Sequence, residues 1–294
     1  MFVDAHPDDM QGAAGGYLAR LKDSLEFVGL ETTLTDGTVG HFRAEYLKHP
    51  ERLREIRQRE AAEGARLLGF EHRLLTDRHG NYFNDANLEV NRITKGTVWA
   101  AVREFKPDLL LTLPVNEVAD HYGMHNDHTN VGEIVKRIAY LIPAPYAFPE
   151  YYDPEEVNRM DEGAEPDHIN PPVIVTVHDG YSGQIQPDLV IDIEAYSDTK
   201  AEAWGKHESQ WREWLPWIGR YPPPADFAEL KTRMGGRRRR LARGLGLKDG
   251  LYEAYTITDW GATPTLEQIK TWFPGDVCDY ELAAKKIRAF TGEA

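Results

Sequence analysis

The sequence predicts a Rossmann-like three-layer α/β/α fold with a mostly parallel sheet. Strand-like and helix-like segments alternate along the first half of the chain, which is typical of βαβ units. The segment DLLLTL at residues 108–113 is apolar on both faces, as strands inside parallel sheets are. No repeat and no clear linker divides the 294 residues, so we expect a single domain over 1–294 with additions after the core.

The core of the predicted fold is residues 1–141. In chain order its elements are a strand at 1–5, a helix at 12–22, a strand at 26–34, a helix at 51–68, a short strand at 72–75, a helix at 88–105, the buried strand at 108–113 and a helix at 126–141. The helix at 51–68 is rich in Glu, Arg, Ala and Leu and stops at Gly69. Lys106 and Pro107 end the helix before the buried strand.

The second half of the chain begins with a change in composition and a loss of hydrophobic periodicity. Residues 142–172 contain seven prolines and eight acidic residues without periodicity, which predicts a long loop or insertion over 142–187. A loop of this length is typical of a lid or a substrate wall. A strand is predicted at 172–177. The remaining elements lie within 188–294 and are strands at 188–193 and 251–257 and helices at 197–214 and 276–290.

Composition excludes several classes of function. The net charge of −14 argues against nucleic acid or an anionic membrane as the main partner, because both are polyanions. The single cysteine, Cys278, excludes an intrachain disulfide and a cysteine-cluster metal site. No apolar run approaches the ~20 residues of a membrane span, and no signal peptide is visible, so we expect a cytoplasmic protein.

Two polar clusters follow predicted strands. The first is His6-Pro-Asp-Asp9 and the second is His125-Asn-Asp-His128. Ligands of open parallel sheets gather at the carboxyl ends of strands, so we expect the clusters to meet. Together they offer three imidazoles and three carboxylates, and a catalytic zinc takes three such ligands and leaves a position for water. The alternative is two unrelated polar turns.

Spacing within the clusters adds to this hypothesis. His6 and Asp9 lie three residues apart, as do His125 and His128, so each pair could face one point from the first turn of a helix. Asp8 would then be free to act as a base beside metal-activated water.

The motif Ala5-His-Pro-Asp-Asp9 resembles the AHPDD signature of the PIG-L/LmbE-like family of zinc-dependent N-deacetylases. Further matches follow in the family's order. They are Gly15-Gly16, Thr35-Asp36-Gly37 with Gly40, Arg57 to Glu60 with Leu68-Gly69, Lys106-Pro-Asp108, His125-Asn-Asp127-His128 and, more loosely, Lys200, Ala203, His207, Ser209 and Gln210. Met10 stands where the family usually has Glu, and 142–187 and the segment after Trp211 match no family motif.

The resemblance implies roles for individual residues. The implied zinc ligands are His6, Asp9 and His128, and Fe²⁺ would also suit such a site. Asp8 would be the general base. His125 would stabilise the oxyanion or protonate the leaving amine, and Asp127 would orient His125.

The resemblance also implies a small-molecule substrate, an N-acetylglucosamine-like sugar or glycoconjugate, and allows a homo-oligomer. Arg57 and Asp77 could contact the sugar. The alternative for Arg57 is a position on a solvated helix face, and the alternative for Asp77 is a structural role in a turn. Five tryptophans could stack on sugar rings: Trp99, Trp204, Trp211, Trp214 and Trp217. Trp204, Trp211 and Trp214 lie seven and three residues apart, which favours a packed helical stripe instead.

Two other functions stay open at this point. A non-haem Fe(II) oxygenase also uses His and carboxylate ligands, but its usual β-sandwich scaffold does not fit the alternating pattern. A non-catalytic binding protein could share the scaffold, although we would then expect Asp8 or His125 to be missing.

Overall fold

One seven-stranded sheet organises the computed structural model, which describes residues 1–115, 125–163, 165–178 and 187–292, with the backbone alone at 156, 237, 238 and 240. The strands are β1 (Phe2–Asp4), β2 (Gly29–Thr33), β3 (Phe70–Leu74), β4 (Leu109–Thr112), β5 (Val173–Val177), β6 (Leu189–Asp192) and β7 (Tyr252–Ile257). Their order is β3-β2-β1-β4-β5-β7-β6. Strands β1 to β5 are parallel to one another, whereas β7 is antiparallel to both of its neighbours, β5 and β6. The predicted fold class is therefore confirmed.

Helices flank the sheet. They are α1 (Asp9–Ser24), α2 (Ala44–Lys48), α3 (Pro50–Leu67), α4 (Arg92–Phe105), α5 (Asn126–Ala139), α6 (Pro154–Arg159), α7 (Ser197–Gly205), α8 (Leu215–Gly219), α9 (Phe227–Gly244), α10 (Leu266–Trp272) and α11 (Glu281–Thr291). Helix α1 packs against α7 and α3, while α4 packs against α5. Among the described helices, none is long and apolar enough to cross a membrane.

Strand β1 lies at the centre of the sheet and is inaccessible to solvent. Phe2 and Val3 are fully buried, and Val3 pairs in register with Thr32 on one side and Thr112 on the other. Each large apolar side chain buried in this way contributes about 1.5–3 kcal/mol. The strand that carries the first polar cluster at its carboxyl end is thus fixed on both edges.

The layer between β1–β3 and the helices above them is polar. Glu31 is fully buried and accepts hydrogen bonds from Gln11 Nε2 at 3.2 Å and pairs with His72 Nδ1 at 3.0 Å. Burial, followed by the neighbouring Glu31, raises the pKa of Asp4 well above its usual range. His207 is also fully buried, and neither ring nitrogen has a hydrogen-bond partner within the described part of the chain.

Several element boundaries differ from the sequence prediction. The helix expected at 88–105 begins only at Arg92, because Asn91 and Thr94 form a reciprocal capping box at its start. The helix expected at 197–214 is interrupted: α7 ends at Gly205, and a π-helix (Ser209–Trp214) leads into α8. Helices α9 and α10 were absent from the prediction.

The predicted insertion after residue 141 is partly structured. It holds a 3₁₀ turn, Pro149–Tyr151, and helix α6. Phe148 packs on Trp99 with ring centroids 5.4 Å apart, and the Tyr151 hydroxyl lies 2.8 Å from Thr97 Oγ1. This part of the insertion covers α4. Residues 164 and 179–186 of the predicted insertion lie outside the described residues, so the lid or substrate wall stays a prediction.

Candidate metal and catalytic site

The two polar clusters come together at the carboxyl ends of β1 and β4. The first cluster runs from the end of β1 into α1, and a reciprocal turn holds it: His6 N donates to Asp9 Oδ2 at 2.8 Å and Asp9 N donates to His6 O at 3.3 Å. The second cluster starts α5, where His125 is the N-cap and its Nδ1 accepts from Asp127 N at 3.3 Å. Because β1 and β4 are parallel neighbours, both helices begin at one edge of the sheet.

Three side chains converge on one point between the clusters. His6 Nδ1 lies 3.2 Å from His128 Nε2 and 3.4 Å from Asp9 Oδ2, and His128 Nε2 lies 3.2 Å from Asp9 Oδ1. A tetrahedral zinc ion with bonds of about 2.0–2.1 Å holds its ligand atoms about 3.3–3.4 Å apart. The two histidine nitrogens are therefore spaced as ligands of one divalent cation, and Asp9 offers one carboxylate oxygen to each of them.

The other ring nitrogen of His6 faces carboxylates. His6 Nε2 lies 3.2 Å from Asp127 Oδ2 and 3.2 Å from Asp85 Oδ1. A proton on Nε2 satisfies these carboxylates and leaves the Nδ1 lone pair directed at Asp9 and His128. Metal-binding histidines almost always donate their second N–H in this manner.

Without a metal, the carboxylates favour a charged His6. Burial acts against the protonated imidazole, but hydrogen bonds to Asp127, Asp85 and Asp9 outweigh it and raise the pKa of His6 well above its usual range. Although burial opposes the effect, His128 and His6 lower the pKa of Asp9. A divalent cation would take over the charge that the His6 proton carries.

Asp85 was missed by sequence reasoning. It lies in the loop between β3 and α4, outside every quoted motif, and its second oxygen, Oδ2, accepts from Val39 N at 2.8 Å. Hydrogen bonding to His6, which outweighs burial, lowers the pKa of Asp85 to about 2. No local pattern marks this residue, because only the closure of the loop against β1 brings it to His6.

The carboxylate of Asp127 also faces His6. Its two oxygens accept from Ala86 N at 2.7 Å and Leu88 N at 2.9 Å, so the buried side chain is fixed. Asp127 was expected to orient His125, but none of the described hydrogen bonds of the Asp127 carboxylate goes to His125. The contact to His125 comes instead from the backbone N–H of Asp127.

His125 lies close to the same centre. Its ring centroid is 4.5 Å from that of His6, and its donor atom lies within 4.8 Å of those of His6 and His128 and, in a second grouping, of His6, Asp85 and Asp127. Burial and then the neighbouring His6 and His128 lower the pKa of His125. Between them, these donor sets share His6 and His128 with the predicted triad but do not include Asp9, whose two carboxylate oxygens each face one of these two histidines.

Asp8 is held by a buried arginine. Arg57 Nη2 donates to Asp8 Oδ1 at 3.1 Å and to Pro7 O at 2.7 Å, and Arg57 Nη1 donates to Gly37 O at 2.9 Å. Asp8 adopts φ +146°, a strained backbone for a residue other than glycine. Burial raises the pKa of Asp8 to about 6, against the opposing effect of Arg57.

The two weaker substrate candidates lie in different settings. Arg57 is only 3% exposed, so the alternative of a solvated helix face is wrong. Asp77 lies in a tight turn, where its carboxylate accepts from His79 N at 2.7 Å and from Asn81 N and Nδ2 at 2.9 Å. These hydrogen bonds favour the turn interpretation for Asp77.

Comparison with known proteins confirms the family resemblance. A family model described as PIG-L, GlcNAc-PI de-N-acetylase, matches residues 1–139. A diacetylchitobiose deacetylase from Thermococcus kodakarensis is 26% identical over 85% of this chain and 83% of its own length. A probable N-acetyl-alpha-D-glucosaminyl L-malate deacetylase 2 from Bacillus cereus is 26% identical over 71% of this chain and 82% of its own length.

Solved structures share the fold. N,N'-diacetylchitobiose deacetylase from Pyrococcus horikoshii covers 91% of this chain and 87% of its own, with 21% identity and a TM-score of 0.60. A 4-carboxy-2-hydroxymuconate hydratase from Pseudomonas putida KT2440 covers 90% and 98%, with 18% identity and a TM-score of 0.59. The reactions named for these two proteins differ, so the fold alone does not identify the reaction.

Proposed function

We propose that this chain, whose residues 1–139 match the PIG-L family model, hydrolyses the N-acetyl group of an N-acetylglucosamine-like sugar or glycoconjugate. The observation that carries the proposal is the convergence of His6, Asp9 and His128 beside Asp8. The curated relatives are named as deacetylases of such sugars, which supports this substrate class. Acetate and a free amine would be the products.

The proposed metal ligands are His6, Asp9 and His128. A divalent cation at this position supplies Lewis acidity, which polarises a carbonyl and lowers the pKa of water towards ~7. Zinc and Fe²⁺ both suit the donor set. Asp127 and Asp85 act on the opposite nitrogen of His6 and keep its ring and tautomer in place.

Asp8 is the proposed general base. Its carboxylate accepts a proton from the attacking water and can return it to the departing amine. Arg57 fixes the position of Asp8 Oδ1 through a charged hydrogen bond. A pKa raised by burial to about 6 makes Asp8 a stronger base than a solvated aspartate while it stays ionised at neutral pH.

His125 is proposed to act on the oxyanion or the leaving amine. Its Nδ1 accepts the backbone N–H of Asp127, so the neutral ring carries its proton on Nε2. A lowered pKa keeps the ring neutral but still able to donate that proton. Donation from Nε2 would stabilise charge that develops on the amide oxygen.

Acetate release tests the proposal. Metal-loaded protein is incubated with a panel of N-acetylated amino sugars, with and without a chelator, and acetate is measured. We expect chelator-sensitive acetate from at least one sugar and a loss of about 10²–10⁴-fold in Asp8→Ala with its metal retained. Asp23→Asn, at an exposed site on α1, serves as the control.

Three outcomes would contradict the proposal. Wild-type rates in Asp8→Ala would exclude Asp8 as the base, and oxygen uptake with the same sugars would favour an oxygenase. A folded protein that binds no divalent cation would favour a binding function.

An oligomer and a cytoplasmic location stay predictions.

A further inference from the structure

Three aromatic side chains form an exposed patch, which we call the aromatic shelf: Phe42, Trp214 and Trp217. Phe42 lies between β2 and α2, and the two tryptophans lie in the π-helix and α8. Phe42 stacks on Trp217 with centroids 5.0 Å apart and planes at 13°, and Trp214 stacks on Trp217 at 5.7 Å and 21°. Phe42 and Trp217 are each 42% exposed.

The geometry of the shelf leaves ring surface uncovered. Near-parallel rings in contact are separated by about 3.5 Å, so centroid distances of 5.0 and 5.7 Å require an offset stack. Phe42 and Trp217, each 42% exposed, therefore keep ring surface open to solvent, beside the guanidinium groups of Arg43 and Arg220, which lie over these two rings. Trp211, in contrast, is only 4% exposed and donates its indole N–H to Gly205 O at 2.9 Å, as expected for a member of the packed stripe of Trp204, Trp211 and Trp214.

The shelf is fixed by a fork of charged hydrogen bonds. Arg43 Nε and Nη2 donate to the two carboxylate oxygens of Glu213, each at 2.9 Å. This bidentate pair joins the segment after β2 to the π-helix, which brings Phe42 against Trp217. A surface whose side chains are already held in place pays less ordering entropy when a ligand binds.

The shelf is continuous with the proposed catalytic site. A Cβ atom on Gly40 would lie 3.4 Å from Arg57 Nη1 and 3.4 Å from Trp214 Cδ1, so the guanidinium and the indole meet across this glycine. The same guanidinium donates to Asp8 Oδ1 at 3.1 Å. A substrate placed at Asp8 would thus extend towards Trp214 and Trp217.

The chemistry of the shelf fits a pyranose ring. A sugar ring has an apolar C–H face, which packs on aromatic faces, and a rim of hydroxyl groups, which need hydrogen-bond partners. Arg43 and Glu213 provide charged donors and acceptors at the edge, and the Arg220 guanidinium lies 5.3 Å from the Trp217 centroid. The excess of acidic residues makes a polyanion a poor alternative occupant.

We infer that the aromatic shelf binds a second sugar ring of an N-acetylated oligosaccharide whose first ring is deacetylated at Asp8. The inference rests on the proposed function and adds to it a preference for a disaccharide or longer chain. The second ring stacks on Trp217 and Phe42. Stacking lowers KM for the longer substrate, and the reaction at the first ring needs no contact with the shelf.

The test compares one-ring and two-ring substrates. Acetate release from N-acetylglucosamine and from N,N'-diacetylchitobiose is measured for wild type, Trp217→Ala, Trp217→Phe and Phe42→Ala. We expect kcat/KM for the disaccharide to fall about tenfold in Trp217→Ala, mostly through KM, with the monosaccharide rate unchanged. Trp217→Phe keeps an aromatic face and should recover most of the loss. Tyr140→Ala removes an aromatic ring that is 89% exposed and serves as the control.

A binding measurement separates failure of this inference from failure of the proposed function. Calorimetric titration of the inactive Asp8→Ala variant with the disaccharide should show weaker binding when Trp217→Ala is added, whether or not the wild type releases acetate. Equal losses for both sugars, or unchanged disaccharide binding and kinetics in Trp217→Ala, would overturn the shelf as a sugar subsite. Absence of acetate from both sugars in wild type would count against the proposed function alone.

Discussion

The guanidinium of Arg57 lies 3.1 Å from the carboxylate of Asp8, although 49 residues separate them in the chain. The same guanidinium donates to Pro7 O and Gly37 O, so it joins the turn after β1 to the turn after β2. Asp8 has a positive φ, and a strained backbone of this kind persists only where its surroundings hold it. Arg57 is thus a positioning residue for the proposed base.

Replacing Arg57 with lysine should separate positioning from substrate binding. Lysine keeps the charge but cannot form the planar fork to Asp8, Pro7 and Gly37. We expect kcat to fall by about 10–100-fold with little change in KM or metal content, because a small displacement of a reacting group costs rates of this order. Steady-state kinetics and metal analysis measure both.

Arg59→Lys, at an exposed site on the same helix, is the matched control for that substitution. A raised KM with unchanged kcat in Arg57→Lys would contradict positioning. That result would favour the direct sugar contact which the family resemblance implied.

Asp85→Asn should weaken metal binding. Asp85 Oδ1 lies 3.2 Å from His6 Nε2, and loss of such a carboxylate partner typically costs 10–100-fold in metal affinity. Zinc titration in competition with a coloured chelator measures the change. Asp77→Asn removes a carboxylate from an exposed turn of the same loop and should leave the affinity unchanged. Equal affinities in Asp85→Asn and wild type would show that Asp127 alone is sufficient to hold His6.

The difference between His6 and Asp85 shows how far the sequence predicts this site. His6 follows a buried strand and belongs to a recognisable motif, and parallel strands bring such positions to one edge. Asp85 belongs to an irregular loop, and its approach to His6 depends on tertiary packing. The direction of the Asp127 carboxylate could not be predicted from the sequence either, because hydrogen bonds from the backbone N–H groups of Ala86 and Leu88 determine it.

The fold shows the same contrast. The alternation of strands and helices predicted the parallel half of the sheet, since each βαβ unit repeats one local pattern. The interruption of α7 near residue 206 and the shelf that follows were not predictable from helical periodicity. Trp211 and Trp217 belong to one aromatic-rich segment, but Trp211 in the π-helix is buried whereas Trp217 in α8 is exposed.

Histidine variants should identify the true ligand set among the overlapping donors. We expect His128→Ala to lose the stoichiometric metal and His125→Ala to keep it while losing activity, because His128 Nε2 lies 3.2 Å from both His6 and Asp9 donor atoms. Metal content after dialysis and the rise in Tm on adding zinc measure binding, since a ligand of the folded state raises stability. His168→Ala, at an exposed site, is the control. Loss of metal in His125→Ala with retention in His128→Ala would contradict the proposed ligands.

His207 should make the protein less stable in mild acid. Its ring is fully buried, and burial, followed by Arg57 and His72, lowers its pKa well below 6.5. The unfolded chain takes up a proton as the pH falls through about 6.5, whereas the folded chain resists it, so the free energy of unfolding decreases with falling pH. The slope from one such group approaches about 1.4 kcal/mol per pH unit.

Urea unfolding of wild type and His207→Gln from pH 7.5 to pH 5, in the presence of a chelator, measures this contribution. We expect the variant to be less stable at pH 7.5 and to lose less stability than wild type on acidification, because glutamine does not titrate. His168→Gln changes an exposed histidine and should follow the wild-type slope. Parallel pH profiles for wild type and His207→Gln would show that His207 does take up a proton in the folded protein. The buried layer above β1–β3 would then have to accommodate a positive charge there, for which the carboxylate of Asp9 is the available partner.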